Sequence, residues 1–243
     1  MSKLAGVFRA GIFAHNDQIR LRFRAHSMIP SDPVLTVLLY AAAYMVGSVL
    51  FALPVSRLWK LPDPRTQGSG NPGATNVYRT GGWPPALMTL ALDAAKGWLP
   101  VWLAHAAGLS VMVQAVVALC AVTGHMIPVF YRFQGGKGVA TALGAGLALA
   151  PVTTLVMAAI WTLVIWRWRI SALASLLAII SGPLISAVIE PETLPLFGLL
   201  AILIVVRHRN NLIRLAQGRE ADLYNSVERS VNQPCRPRLT DRR

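Results

Sequence analysis

Residues 111–130, VMVQAVVALCAVTGHMIPVF, run for twenty positions without Asp, Glu, Lys or Arg and lead straight into YRFQGGKG at 131–138. A helix of that length crosses the roughly 30 Å hydrocarbon core of a bilayer, and the basic, glycine-rich stretch behind it cannot follow into lipid. The same alternation repeats in both directions. Upstream, 34–55 is apolar and is followed by a loop carrying Arg57, Lys60, Arg65 and Arg79, and 83–106 is apolar again. Downstream, 139–150 is broken by Pro151, 152–165 ends in Trp166-Arg167-Trp168-Arg169, 171–189 ends in the acidic turn Glu190-Pro191-Glu192, and 194–206 ends in Arg207-His208-Arg209. The reading is an all-α, polytopic transmembrane helical bundle of about seven spans, of which the fourth and seventh are short. With 54% hydrophobic and 14% charged residues, a soluble globular fold is excluded.

The charge is as informative as the apolar content. The chain has 23 Lys+Arg against 10 Asp+Glu, a formal net charge of +13. In a soluble protein that excess would suggest nucleic acid, but here the cations fall at the ends of apolar spans, where anionic lipid head groups are the counterions. No nucleic-acid partner is expected. Of the twelve Lys and Arg between residues 33 and 214, a seven-span arrangement puts eleven on one side, Lys96 inside the second span being the exception. By the positive-inside rule that side is cytoplasmic, so the N-terminus lies outside and the C-terminus in the cytoplasm. The expected organisation is a basic N-terminal arm at 1–30, one transmembrane catalytic domain at 31–214 and a basic cytoplasmic tail at 215–243. The arm fits this poorly, since Lys3, Arg9, Arg20, Arg22 and Arg24 would have to cross the membrane. A working start at Met28 and an arm bound to lipid head groups are the two readings. Cys120 and Cys235 offer neither a disulfide framework nor a thiol metal site.

All the unusual polar sequence lies in three stretches on the basic side. The first, GSGNPGATNVYR (68–79), has glycines that let successive N–H groups converge on an anion, neutral donors in Ser69, Asn71, Thr75 and Asn76, and a cation in Arg79. An ordinary flexible loop has much the same composition. The second, FQGGKGVAT (133–141), joins Gly135, Gly136, Lys137 and Gly138 to a helix N-terminus with Thr141 in its first turn, a combination that binds phosphate. It is no Walker A loop, because Tyr131 and Gly138 replace the first glycine and the Mg²⁺-binding hydroxyl. Gly138, Ala142, Gly146 and Ala150 also repeat at small-xxx-small spacing and suit helix packing. The third stretch is RHRNNLIR (207–214) followed by Gly218 and Glu220. Helical spacing sets His208, Asn211 and Arg214 on one face toward a common anion, and a basic anchor at a span end is the competing account. In the second span Asp93 and Lys96 stand at i, i+3 and can neutralise each other; ionisable groups at that depth are functional candidates. His125 is expected to orient loop backbone. No carboxylate cluster, nucleophile elbow or H-x-x-x-x-D motif is present, so no metal and no cofactor are expected.

In order and placement these stretches resemble the bacterial acyl-phosphate:glycerol-3-phosphate acyltransferase family, PlsY. The resemblance is carried by SGNPGATNVYR (69–79), LDAAKG (92–97), GHMIPVFYRFQGGKGVAT (124–141) and HRNNLIRLAQGRE (208–220), and covers about residues 30 to 220. It implies transfer of a fatty acyl group from acyl phosphate to the 1-hydroxyl of glycerol 3-phosphate, giving 1-acyl-glycerol 3-phosphate and phosphate for phospholipid biosynthesis, at the cytoplasmic face of a bacterial inner membrane. Acyl-CoA and acyl carrier protein are not required. It assigns Ser69, Arg79, Lys137, His208 and Asn211 to the catalytic phosphate pocket, Asn71, Thr75, Asn76, Gly135, Gly136, Gly138 and Thr141 to substrate binding, and Asp93, Lys96 and Glu220 to supporting roles. Either the departing phosphate or His208 takes the hydroxyl proton. The alternative from another class is a transporter of a phosphorylated compound or lipid, which would carry its polar groups near the bilayer midplane in two related halves.

Overall fold

Each apolar segment becomes a helix, and proline and capping residues mark where several begin. In the computed structural model, which describes residues 32–223, these helices are α1 (Pro33–Gly47), α2 (Ala52–Leu58), α3 (Ala74–Gly81), α4 (Trp83–Ala106), α5 (Val111–Met126), α6 (Val139–Leu149), α7 (Pro151–Trp168), α8 (Ser171–Ile189), α9 (Leu194–Arg207) and α10 (Arg209–Ala216). Asp32 caps α1 by accepting the Val34 N–H at 2.8 Å, with Pro33 in the first turn. Pro151 opens α7, and Glu190 accepts the Thr153 N–H at 3.0 Å, which ties the start of α7 to the end of α8. The 1–30 arm, with Met28, and the tail beyond 223 lie outside the described residues.

The apolar run 34–55 is a single candidate span with an interruption: its helix breaks after Gly47 and resumes at Ala52, with Ser48 Oγ donating to the Tyr44 carbonyl at 2.8 Å. One local reading is corrected. The stretch 68–79 is not a loop throughout, because Ala74–Gly81 is helical. Four helical segments are long and apolar enough to cross a membrane: Pro33–Leu58, Val111–Tyr131, Pro151–Trp168 and Ser171–Ile189. A fifth is possible by length if Pro191–Arg207 and Arg209–Ala216, bent by 63°, count as one. Helix α4 has 24 residues but carries Asp93 and Lys96, and α6 has only 11. The outer faces stay apolar, Val188 being 82% exposed, which suits lipid rather than water.

Small residues let the helices approach backbone to backbone, as membrane packing requires. A Cβ on Gly144 would collide with the Ala94 carbonyl and one on Gly97 with the Thr141 carbonyl, so α6 lies directly on α4. Gly47 and Gly124 do the same for α1 and α5. The small-residue stripe of α6 has other neighbours: Gly138 and Ala142 face a cavity, while Gly146 abuts Thr154 of α7.

Candidate functional site

One end of the bundle gathers the three polar stretches around a cavity of about 360 Å³. Asn76, buried on α3, organises the first stretch: its Nδ2 donates to the Pro64 and Gln67 carbonyls at 2.7 and 3.0 Å, and its Oδ1 accepts the Ser69 N–H at 2.9 Å. Ser69 Oγ accepts the Asn71 N–H at 3.4 Å. One turn on, the buried Arg79 donates to the Ala221 carbonyl at 3.3 Å, and burial pulls its guanidinium below the ordinary arginine range. Ser69, Asn71, Thr75, Asn76 and Arg79 all line the cavity.

The second stretch is held from behind. Arg207 donates to the Gly136 carbonyl at 2.9 and 3.1 Å and to the Gly135 carbonyl at 2.8 Å, while the Gly136 N–H donates to the His125 carbonyl at 3.0 Å. Gly135 and Gly136 therefore face the bundle and are not in the cavity wall. Thr141 is also outside it, buried against α4. Gly138, at φ +82°, turns the chain into α6 in a conformation that side-chain-bearing residues rarely adopt. Lys137 and Gly138 face the cavity. Lys137 forms no hydrogen bond or ion pair among the described residues. Burial lowers its pKa to about 8, with Glu220 opposing and Arg214, Arg79 and Arg207 reinforcing the shift.

At the third stretch the chain bends at His208, whose Nδ1 lies 2.8 Å from the Ile204 carbonyl. A carbonyl only accepts, so Nδ1 carries the proton and Nε2 is left as an acceptor. Burial and the nearby Lys137 bring His208 down to about 4, which keeps it neutral at pH 7. The expectation that His208, Asn211 and Arg214 share one anion is corrected: Asn211 Nδ2 and Arg214 Nε hold Glu220 at 2.6 and 2.7 Å. One donor of that amide and one of that guanidinium are thus already directed at a carboxylate inside the protein. His208, Asn211 and Glu220 nonetheless line the cavity. The part of the tail that is described folds back over this end, with the Leu223 N–H donating to the Arg169 carbonyl at 2.8 Å.

Asp93 and Lys96 pair at 2.7 Å, as their spacing predicts, and Asp93 but not Lys96 reaches the cavity wall. Two contributors had no sequence signal strong enough to find them: Ser171, at the start of α8, shares a hydrogen bond of 3.1 Å with Thr75, and Arg207 reads simply as a span-end cation. His125, expected to orient loop backbone, also lines the cavity from within α5. Away from the polar mouth, the cavity runs between α6, α7, α8 and α9, walled by Leu143, Met157, Ile179, Phe197 and Leu200. The arrangement suits an amphiphile with an anionic head and an apolar tail.

Comparison with known proteins gives one consistent result. The family model for glycerol-3-phosphate acyltransferase matches residues 37–218. A glycerol-3-phosphate acyltransferase of Hahella chejuensis is 50% identical over 191 residues, which cover 79% of this chain and 98% of that protein. One from Neisseria meningitidis serogroup C is 47% identical over 192 residues, covering 76% and 96%. The crystal structure of PlsY, an integral membrane glycerol 3-phosphate acyltransferase, in its glycerol 3-phosphate form superposes with a TM-score of 0.74 at 37% identity, covering 82% of this chain and 99% of that one. Its lysophosphatidic acid form gives 0.71 at 38% identity, covering 77% and 94%.

Proposed function

The chain belongs to the glycerol-3-phosphate acyltransferase family, and from that premise we propose that it transfers a fatty acyl group from acyl phosphate to the 1-hydroxyl of glycerol 3-phosphate at the cytoplasmic face of a bacterial inner membrane, with seven spans, the N-terminus outside and the C-terminus in the cytoplasm. One observation carries the reading: a largely buried lysine in a glycine turn, with no hydrogen bond or ion pair among the described residues, stands at the mouth of a cavity whose other end is apolar and lies between membrane helices. Both substrates present phosphate, and one trails an acyl chain.

In this reading Lys137 and Arg79 hold substrate phosphate, with Ser69 and the Gly138 turn completing the cradle. Asn71, Thr75 and Asn76 shape the first loop, and Asn211 is set against Glu220. The 1-hydroxyl oxygen attacks the acyl carbonyl carbon; the bond from that carbon to the phosphate oxygen breaks, and phosphate leaves with the electron pair. A neutral imidazole with pKa about 4 is a weak acceptor for an alcohol proton at pH 7, so the departing phosphate takes it. His208 Nε2 accepts a hydrogen bond from the glycerol backbone and orients the attack. Acyl phosphate is a mixed anhydride, so positioning and charge stabilisation carry the catalysis. Neither acyl-CoA nor acyl carrier protein is needed.

Purified protein with labelled glycerol 3-phosphate tests this. Labelled 1-acyl-glycerol 3-phosphate is expected with acyl phosphate, in EDTA as well as without it, and not with acyl-CoA. Turnover with acyl-CoA alone, or loss in EDTA restored by Mg²⁺, would sink the proposed donor or the cation roles of Lys137 and Arg79.

A further inference from the structure

Behind the glycine loop, three ionisable side chains meet that the proposed reaction does not use. Lys96 Nζ contacts Asp93 Oδ1 at 2.7 Å, the Val49 carbonyl at 2.5 Å and His125 Nδ1 at 2.8 Å. An ammonium has three N–H bonds and three acceptors surround it, so Nδ1 is the unprotonated nitrogen and the imidazole proton sits on Nε2. Asp93, Lys96 and His125 are 1%, 3% and 3% exposed, which makes this an enclosed network and not a surface ion pair. Asp93 and Val49 already satisfy two of the donors. The third bond fixes the plane of the His125 ring, and that ring has a use: its Nε2 edge fills the space a Cβ on Gly136 would take. The His125 carbonyl accepts the Gly136 N–H, and Arg207 grips the Gly135 and Gly136 carbonyls. Gly136 is thus seated on all sides one residue before Lys137.

We propose that Asp93, Lys96 and His125 form a positioning relay for the phosphate loop. Lys96 sets the tautomer and plane of the imidazole, the imidazole seats Gly136, and the seat aims Lys137 and Gly138 into the cavity. The inference rests on the reading above, in which that loop binds substrate phosphate.

The test uses the full chain in lipid nanodiscs, measuring kcat, KM for glycerol 3-phosphate and inhibition by inorganic phosphate, with thermal unfolding alongside. His125→Ala removes the seat, whereas His125→Gln is long enough to put its terminal amide where the Nε2 edge lay. Asp93→Asn with Lys96→Met removes both charges together and strands neither. His125→Ala and the double variant are expected to weaken phosphate inhibition roughly 10- to 100-fold, the scale of a displaced binding group, at an unfolding temperature near that of the parent, and His125→Gln to recover part of the loss. Parental phosphate inhibition in folded His125→Ala overturns the relay, as does a loss of stability with phosphate affinity intact. Lys137→Ala separates the two readings: unchanged phosphate inhibition there overturns the phosphate-loop reading itself. Where the double variant fails to fold, the two His125 variants decide alone.

Discussion

Lys137 keeps a positive charge where burial resists it, and a bound anion relieves that conflict. With its pKa near 8 the free enzyme carries the charge below that pH and loses it above. Affinity for inorganic phosphate is therefore expected to fall as pH rises through about 8. Lys137→Arg should move that fall to much higher pH, and a midpoint shared by parent and Arg variant would assign the titration to another group. Lys137→Ala should cost about 2 kcal/mol in transition-state stabilisation, roughly 30-fold in kcat/KM. Burial lowers His208 too, to about 4, so it is uncharged at neutral pH. If its Nε2 only accepts a hydrogen bond, His208→Gln should stay within about tenfold of the parent while His208→Ala falls about 100-fold. Equal losses would mean the imidazole does take the proton. Sequence alone shows Lys137 in a glycine nest and His208 beside arginines. It does not show that Lys137 forms no ion pair among the described residues or that Glu220 is held by Asn211 and Arg214, because those facts depend on which chain segments fold back on one another.

Among the elements, α6 shows best what patterning reveals and what it hides. Its N-terminal glycine turn and its shortness are legible from residues 135–150, and the structure has 11 helical residues there, about 16 Å at 1.5 Å each. The small-residue spacing was legible too, but its partner was not: periodicity identifies a face without saying what lies opposite. The cavity takes the Gly138–Ala142 face, and the close approach to α4 uses Gly144 and the Thr141 carbonyl instead. Gly144→Ala should consequently push α6 from the Ala94 carbonyl and destabilise the protein by about 1–3 kcal/mol, read as a lower unfolding temperature in detergent. An unshifted temperature would mean the α4–α6 contact has slack. The break at residues 48–51 escaped the sequence reading because hydropathy is continuous across it; there the Val49 carbonyl turns to Lys96.

At the scale of the whole molecule, the distribution of charge is the argument for a direction. The three polar stretches come together at one end, joined by Arg79 to Ala221, Arg207 to the glycine loop and Leu223 to Arg169. The Glu190 turn lies at the far end of α8, beside the start of α7. Lys and Arg resist translocation and Glu does not, and this is the ground for proposing that the basic end lies in the cytoplasm. A variant with Cys120 and Cys235 replaced gives a clean background for single cysteines at the exposed Glu192 and Arg219. In intact cells an impermeant thiol reagent should label the cysteine at 192 and spare the one at 219, which should react only after the membrane is opened. A chain shortened to begin at Met28 should show the same pattern and the same turnover, since eleven cations in the later loops outweigh the five ahead of a single span. Labelling at 219 in sealed cells would invert the bundle and put Lys137 and its cavity on the outer face, away from cytosolic glycerol 3-phosphate. A shortened chain that inserts inverted would instead show that the first 27 residues set the orientation, against the positive-inside count.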